Sequence, residues 1–366
     1  MKKLTLYLLL SLFTASLAVA QNDSTKHKLT ISGYTDVYFA AFSDSLGANA
    51  LQQFTTVSPR AQRFGVNTAQ IGAHYESDRI RGNFIIHYGD IAKATWSTEF
   101  PFLQEANVGF RITEGLWLDA GFFATHIGTE SFLPKNNYTS STALATFNEP
   151  FFQSGARLQY SPSDKFTGEF WVVSGYNFFL DANDAKSVGV LLNYEFSDNL
   201  SLTYTNLFGR ESLDDVSPTQ FRTYHNLYLN ATARSFDFVL GGDFGTQSNS
   251  KNLAPEETAV IYNALAVVRR RWDDAFSTTI RGEVFSDEEG FISGIVGTPQ
   301  GSPEGLQAWG LTLSNEYRTM ENAYIRLEGR YLQTPDNLPI FYDGESTNQR
   351  WEFMVTMGIE FEQKVR

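Results

Sequence analysis

Arginine and glutamate alternate with uncharged residues in two segments of the C-terminal third. Arg281 and Glu283 stand two positions apart in the first segment, and Arg326, Glu328 and Arg330 repeat this spacing in the second. Because successive side chains of a β-strand point to opposite faces, each set shares one face of its strand. Such rows can sort solutes across a water-filled passage, or they can pair across strands as wall scaffolding. Both signs alternate on the same strands, which favours pairing, although a paired wall can also line a passage.

Histidines are the other residues that could do chemistry, as general bases or metal ligands. The chain has five, none within a G-x-S-x-G or H-E-x-x-H motif, and it has no cysteine. His126, at the predicted end of a strand, is interpreted as a hydrogen-bonding residue at the rim. Asp181, Asp184 and the acidic run 287–289 are interpreted as solvated loop surface, with calcium binding as the open alternative. The sequence therefore predicts no catalytic residue, metal or cofactor, and hence no enzyme.

The elements that must position these charges are short alternating segments. In segment 276–284, Phe276, Ile280 and Val284 share one face, opposite Arg281 and Glu283. About sixteen such strands are predicted, an even number. They include segments 29–42, 64–75, 80–89, 260–269 and 350–361. Segment 260–269 is apolar on both faces, so the pattern does not predict which of its faces points inward.

Short and long connections alternate between these strands. The long ones are predicted near 43–63, 91–102, 127–150, 177–186, 211–220, 247–258, 287–305 and 333–348. This rhythm is typical of outer-membrane barrels, where short turns face the periplasm and long loops face outward. The predicted fold is all-β: a transmembrane, antiparallel, up-and-down β-barrel, closed because an unpaired strand edge is costly in lipid. Segment 127–150, the longest connection, is the candidate for a loop that folds inward and constricts the interior.

The N-terminus is typical of an exported protein. Two lysines precede the apolar run Leu4–Leu17, and an A-V-A sequence ends at Ala20. These features predict a cleaved signal peptide over residues 1–20 and a single barrel domain over 21–366. A short transmembrane helix is the alternative, but the run falls short of the roughly 20 residues that span a bilayer. The predicted location is therefore the outer membrane of a Gram-negative cell.

The composition is typical of a chain with surfaces exposed to both lipid and water. Aromatic residues make up 15% of it, yet mean hydropathy is −0.25, and the formal charge of −13 argues against a nucleic-acid partner. Eight aromatic residues fall on the outward face beside the short turns or the C-terminus, which predicts a belt at a membrane interface. They are Tyr75, Tyr160, Phe166, Tyr194, Phe236, Phe276, Tyr317 and Phe361.

The inward face carries the charged residues from which a pore could be lined. The candidate pore-lining residues are Asp36, Arg81, Arg111, Asp119, Glu169, Asp243, Arg281, Glu283, Arg326, Glu328, Arg330 and Glu352. Glu105, Asp237 and Arg350 fall on the same face. In a barrel of about sixteen strands the interior is wide enough to hold water, whereas eight strands leave it nearly filled by side chains.

Several of these segments resemble the OmpL-like outer-membrane β-barrel porins. Segments 281–287 (RGEVFSD) and 326–331 (RLEGRY) look like two related signature strands of that family. Segment 118–130 is similar to the family's approach to a long middle loop, and segment 149–157 fits the return from it. The resemblance spans nearly the whole chain after the signal peptide and implies the barrel and its location better than a substrate. One departure is that Phe361 is followed by five further residues, whereas many outer-membrane barrels end on an aromatic residue.

The leading prediction is a passive channel for small hydrophilic solutes, with outer-membrane lipid and those solutes as its partners. The alternative is a non-conducting barrel that binds through its long external loops or has a structural role. A soluble, secreted all-β protein is a third possibility, which extraction without detergent would establish. A homo-oligomer is expected only by analogy with porins of this size.

Overall fold

The computed structural model describes residues 27–44, 46, 50–181 and 183–365, so the predicted signal peptide lies outside the described residues. Sixteen antiparallel strands form one closed barrel. They are β1 (Lys28–Phe42), β2 (Arg63–Glu76), β3 (Ile80–Tyr88), β4 (Leu103–Thr113), β5 (Leu116–Ala124), β6 (Phe152–Ser163), β7 (Phe166–Val173), β8 (Ser187–Ser197), β9 (Leu200–Arg210), β10 (Phe221–Ala233), β11 (Phe236–Gln247), β12 (Ala259–Arg271), β13 (Phe276–Ser286), β14 (Gln307–Met320), β15 (Ala323–Gln333) and β18 (Gln349–Val365). Two short strands, β16 (Phe341–Tyr342) and β17 (Ser346–Thr347), form a separate hairpin between the last two barrel strands.

Each barrel strand pairs with its neighbours in sequence, and β18 pairs with β1 to close the sheet. The predicted number of sixteen strands and the all-β barrel are confirmed. Strand β18 is longer than predicted, because its last residues continue past Phe361 and pair with the start of β1, Val365 lying opposite Leu29. Closure leaves no strand of the barrel with an unpaired edge.

Long and short connections alternate around the barrel, as predicted. The short ones have two to four residues, and we number the long ones L1 to L8. They cover 43–62 (L1), 89–102 (L2), 125–151 (L3), 174–186 (L4), 211–220 (L5), 248–258 (L6), 287–306 (L7) and 334–348 (L8). L2 contains the short helix α1 (Asp90–Thr95), and L3 contains α2 (Leu144–Asn148). None of the described helices is long and apolar enough to cross a membrane.

The two faces of the wall differ as the alternation predicts. On β13, Ile280 and Val284 are about half exposed on the outward face, whereas Arg281 and Glu283 are buried on the inward face. The eight predicted belt aromatics occupy the short-turn ends of their strands, and strand pairing sets them at matching heights. Phe276, for example, lies opposite Tyr317.

The structure around β12 shows why the sequence did not predict which face of this strand points inward. Its inward residues Ile261, Leu265 and Val267 are apolar and buried, and they belong to one cluster with Leu144 and Ala145 of L3. The barrel interior therefore has a hydrophobic core of its own on this side. An apolar inward face is stable here because a loop, rather than water, covers it.

Candidate functional site

L3 folds into the barrel interior and crosses to the opposite wall. It leaves from β5 and returns to β6, yet its central residues make hydrogen bonds to β13, β15 and β18. Most of its residues are buried, Ser140 and Leu144 almost completely. The inward placement predicted for segment 127–150 is what the structure shows.

Arg326 on β15 binds the descending part of L3. Its guanidinium donates to the carbonyl oxygens of Pro134 (2.7 Å), Thr139 (2.9 Å) and Asn137 (2.8 Å). The Nε atom of the same side chain donates to Glu316 at 2.6 Å. Four of the five N–H groups of this fully buried cation thus face acceptors, and its charge is balanced by a carboxylate.

Glu328, two positions along the same strand, binds the tip of L3. Its two carboxylate oxygens accept the backbone N–H groups of Ser140 (2.6 Å) and Ser141 (2.9 Å). The Ser140 hydroxyl also lies 2.5 Å from the hydroxyl of Thr356 on β18. A carboxylate that receives two backbone donors is held by charge-assisted bonds, which are stronger than neutral ones.

Arg281 and Glu283 on β13 complete the set of anchors. Arg281 donates to the carbonyl oxygen of Ser141 (2.6 Å) and pairs with Glu130 of L3 at 3.1 Å. Glu283 accepts the backbone N–H of Leu144 (2.6 Å) and pairs with Arg330 at 2.7 Å. The predicted pairing of charges on the wall is present. Arg281 and Glu283 also bind L3, and the strand pattern did not indicate these contacts with the loop.

The beginning of L3 is held by strands β9 and β10. Thr129 accepts a hydrogen bond from Asn226 of β10 at 3.0 Å. His126 Nε2 lies 3.0 Å from the carbonyl oxygen of Asn206 on β9, and its ring stacks on Trp171 with centroids 4.7 Å apart. His126 is thus a hydrogen-bonding residue, as predicted, although it is buried.

L1 also enters the interior, which the sequence did not predict. Asn67 accepts the backbone N–H of Ser58 (2.6 Å) and donates to Asp36 at 2.6 Å. Asp44 pairs with Arg350 of β18 at 2.7 Å, with both side chains about 1% exposed. Asp36 and Arg350, expected on an open inner surface, are therefore covered by a loop.

A second ladder of paired charges, on strands β3, β5, β6 and β7, stays partly open to solvent. Asp119 of β5 lies between Arg81 of β3 (2.6 Å) and Arg157 of β6 (3.0 Å). Arg157 continues to Glu169 of β7 at 3.3 Å. The two arginine side chains remain about one fifth to one quarter exposed. The arginines of this ladder, unlike Arg281 and Arg326, are thus partly exposed.

The twelve candidate pore-lining residues thus fall into different environments. Seven are buried against loops or against one another: Asp36, Arg281, Glu283, Arg326, Glu328, Arg330 and Glu352. Asp243 is buried among Tyr224, Asn226 and Asn263. Arg81, Asp119 and Glu169 belong to the partly open ladder, and Arg111 is exposed near a short turn. Inward direction alone did not reveal which charges meet water.

Two cavities border the final part of L3. One, of about 400 Å³, lies between L3 and the inner wall of β8 and β10. The other, of about 420 Å³, is lined by residues of L3, L4 and L7 with Arg222 of β10. Glu149 and Phe151 line both cavities. These two side chains therefore stand between the outer and inner parts of the free volume.

Glu149 is held in a confined, acidic setting. Burial raises the pKa of its carboxyl well above the usual range, and the nearby carboxylates of Asp243 and Glu130 raise it further. A side chain at position 128 would place its Cβ 2.6 Å from Glu149 Oε2, so the close approach requires Gly128, which also has a φ of 122°. The raised pKa favours the neutral, protonated form of Glu149.

One polar row has the hydrogen-bond order of a catalytic triad. Ser32 Oγ lies 2.8 Å from His74 Nε2, and His74 Nδ1 lies 2.9 Å from Asn83 Oδ1. The three residues occupy neighbouring strands that are paired on both sides, so the sheet commits their backbone N–H groups. Without free donors for an oxyanion, the row is interpreted as a polar ladder of the wall. The described residues contain no group of three potential metal ligands either.

Solved structures with the same architecture are outer-membrane barrels. OmpT of Vibrio cholerae superimposes with a TM-score of 0.56 at 11% identity, covering 93% of this chain and 99% of that one. OmpF of Salmonella typhi, in complex with daunomycin, gives 0.56 at 14% identity, with 93% and 99% covered. OprB of Pseudomonas putida gives 0.57 at 9% identity, with 92% and 94% covered. At these identities the likeness shows the fold alone, and a comparison with curated proteins gives no match.

The family resemblance carried by the signature strands is confirmed over the length of the barrel. A family model matches residues 28–361, from the first strand to the last belt aromatic. The same span holds the loop anchors Arg281 and Arg326, which lie in the two signature strands. The chain is an outer-membrane β-barrel protein and belongs to the family described as "Putative beta-barrel porin-2, OmpL-like".

Proposed function

We propose that this protein is a porin through which small hydrophilic solutes diffuse passively across the outer membrane, past a constriction formed by L3. The observation that carries the proposal is that cavities on the two sides of L3 have Glu149 and Phe151 as common boundary residues. A third cavity, of about 770 Å³, lies at the short-turn end, lined by Arg269, Arg271 and Arg318 among others. Cavities thus lie beside L3 and at the short-turn end of the barrel.

The charge of the outer mouth gives the channel a preference for cations. The eight long loops contain nineteen Asp and Glu residues but only five Lys and Arg residues. A vestibule with excess negative charge concentrates cations and repels anions, most strongly at low ionic strength. The inner cavity adds no opposing charge, since no lysine or arginine is among its described lining residues.

Planar bilayers test conduction and selectivity together. Purified protein should give stepwise conductance, and a salt gradient should give a reversal potential of the sign expected for cations. Replacing Phe151 with Ala widens the boundary between the cavities and should raise the single-channel conductance, whereas replacing exposed Phe221 with Ala should leave it unchanged. A barrel that stays silent at all voltages would remove the proposal.

A non-conducting barrel is the second candidate, and one observation favours it. L1 and L3 pack together in the interior: Phe54 lies edge-on to Phe147 with centroids 6.2 Å apart, within one apolar cluster. If this packing closes the passage, the wild-type protein will be silent and a variant lacking residues 131–147 will conduct. Conduction by the wild-type protein excludes this candidate.

We also infer a homo-oligomer. One similar solved structure, OmpT of Vibrio cholerae with a TM-score of 0.57, is described as a trimer form. The outward wall of this chain offers a continuous apolar surface on which copies can meet in the bilayer. Mass measurement of the detergent-solubilised protein, with the detergent contribution subtracted, should give a multiple of the 41.1 kDa chain less any cleaved signal peptide. A single-chain mass would contradict the inference.

A further inference from the structure

One arginine lies on the outward face of the barrel at the short-turn end of β12. Three arginines follow one another there, and the first and third, Arg269 and Arg271, point inward and pair with Asp237 at 2.7 and 3.5 Å. The second, Arg270, is exposed on the outward face, where the other positions of β11 to β14 are uncharged. Among the described residues, none forms an ion pair or a hydrogen bond with the guanidinium of Arg270.

Aromatic rings hold this guanidinium at the height of the aromatic belt. Its Cζ atom lies 3.7 Å from the ring centroid of Trp272 and 5.8 Å from that of Phe236, the belt residue opposite Arg270 on β11. Such cation–π contacts position an arginine without neutralising its charge. A cation costs little near the membrane interface, whereas it is expensive at the bilayer midplane. The charge of Arg270 is therefore available to a group at the membrane surface.

A second donor lies in the same row of the outward face, two strands away. Trp272 Nε1 can only donate, so its bond to Thr278 Oγ1 (3.0 Å) directs the hydroxyl hydrogen of Thr278 to Asn315 Oδ1 (2.8 Å). The N–H₂ group of Asn315 is the free end of this chain, since no hydrogen bond joins it to another described residue. Strand pairing aligns Arg270 with Thr278 and Thr278 with Asn315. The Cα atoms of the two donor residues are therefore about 10 Å apart, which is two strand spacings.

The surroundings of these two donors favour an anion. The outward-facing positions of β11 to β14 carry no carboxylate that could bind an ammonium group. Two aspartates occupy the turn after β12. The carboxylate of Asp273 accepts the backbone N–H groups of Ala275 and Phe276, and Asp274 is exposed to solvent. The outward face thus offers a positive charge and hydrogen-bond donors beside aromatic rings.

We propose that Arg270 and Asn315 bind the headgroup of an anionic phospholipid, such as phosphatidylglycerol, in the periplasmic leaflet of the outer membrane. The planar guanidinium matches the oxygens of a phosphate diester, and the amide N–H₂ can donate to an ester carbonyl of the same lipid. The belt residues Phe276 and Tyr317, which lie opposite each other, provide apolar surface for the first carbons of the acyl chains. This binding does not depend on conduction through the barrel.

Native mass spectrometry of the detergent-solubilised protein tests the preference for an anionic headgroup. The protein is titrated with dimyristoyl phosphatidylglycerol and, separately, with dimyristoyl phosphatidylcholine, which has the same chains and phosphate but carries an ammonium group. We expect the first bound phosphatidylglycerol to have about threefold to tenfold the affinity of phosphatidylcholine, because one arginine near an anionic lipid contributes roughly that factor. Equal affinities would overturn the proposal.

Replacing Arg270 with Gln should abolish this preference and leave phosphatidylcholine binding unchanged. The side chain makes no hydrogen bond to the wall, so the barrel should fold as in the wild-type protein. Replacing Arg79 with Gln is the matched control, since Arg79 is an exposed arginine in the turn between β2 and β3, at the same end of the barrel. An equal loss in R79Q and R270Q would show a general attraction to the surface and refute the site, as would a retained preference in R270Q.

Replacing Asn315 with Leu should weaken the binding of both lipids, since both have ester carbonyls. Unchanged binding in N315L would refute the two-residue site. Glycerol 1-phosphate has the phosphate but no acyl chains, and at the concentration of the lipid it should not displace bound phosphatidylglycerol. Displacement would assign the site to soluble phosphates and overturn the proposed lipid.

Discussion

The Glu328 carboxylate accepts the backbone N–H of Ser140 at 2.6 Å, although 188 residues separate the two along the chain. Its second oxygen accepts the N–H of the next residue, Ser141. The bond joins strand β15 to the tip of a loop that starts on the opposite wall. The Glu328 carboxylate, which was expected to face a passage, thus holds L3, the loop that narrows this passage.

Replacing Glu328 with Gln should loosen the tip of L3. An amide offers one oxygen to two backbone donors and turns its own N–H₂ group towards the second, so about 1–3 kcal/mol of anchoring free energy should be lost. In bilayers we expect larger open-channel current noise and a higher mean conductance. Replacing exposed Glu345 in L8 with Gln is the matched control and should behave as the wild-type protein. Unchanged noise in E328Q would show that the other anchors suffice.

Replacing Gly241 with Ala should displace the beginning of L3. A Cβ at this wall position would lie 2.3 Å from Thr129 Oγ1, so Thr129 must move and its hydrogen bond to Asn226 must weaken. We expect the free energy of unfolding to fall by about 1–3 kcal/mol, measured by urea titration in lipid vesicles. At Gly282 a Cβ meets nothing within 4 Å, so the same substitution there should be nearly neutral. Equal effects at the two positions would contradict this contact.

The cation preference should rise with pH through Glu149. Because the pKa of this carboxyl is raised by burial and by neighbouring carboxylates, the group gains its negative charge at a higher pH than an exposed glutamate does. The reversal potential in a salt gradient should therefore move further in the cation-selective direction as the pH increases above the usual titration range of a glutamate. Replacing Glu149 with Gln should remove this change, whereas replacing exposed Glu256 of L6 should retain it. Persistence of the full pH response in E149Q would assign it to another group.

Replacing Leu313 with Arg should destabilise the barrel in lipid. Leu313 is about half exposed on the outward face of β14, midway between Trp309 and the belt residue Tyr317. A cation near the bilayer midplane costs about 2–4 kcal/mol. The loss should appear as a lower urea midpoint for the protein folded into vesicles. Leu253, 77% exposed on L6, is the control position, where Arg should cost little. A small effect at position 313 would place it away from the hydrocarbon.

The sequence by itself determined the wall. Strand number, the order of short and long loops, and the inward direction of Arg281 and Glu283 all follow from a two-residue period and from turn residues, which are local features. The predicted pairing of arginine with glutamate on neighbouring strands is present, for example between Arg326 and Glu316 at 2.6 Å. The sequence did not predict which face of β12 points inward, because both faces are apolar. The apolar inward face is itself informative, since it indicates that other parts of the chain cover it.

Only the tertiary structure decided what fills the interior. Alternation tells which way a side chain points, but not which distant backbone it meets. The bond of Glu328 to Ser140, the pair Asp44–Arg350 and the cavity at His126 each join segments that are far apart in sequence. Such contacts depend on barrel diameter and on the path of L1 and L3, because a loop has no period from which its fold can be read.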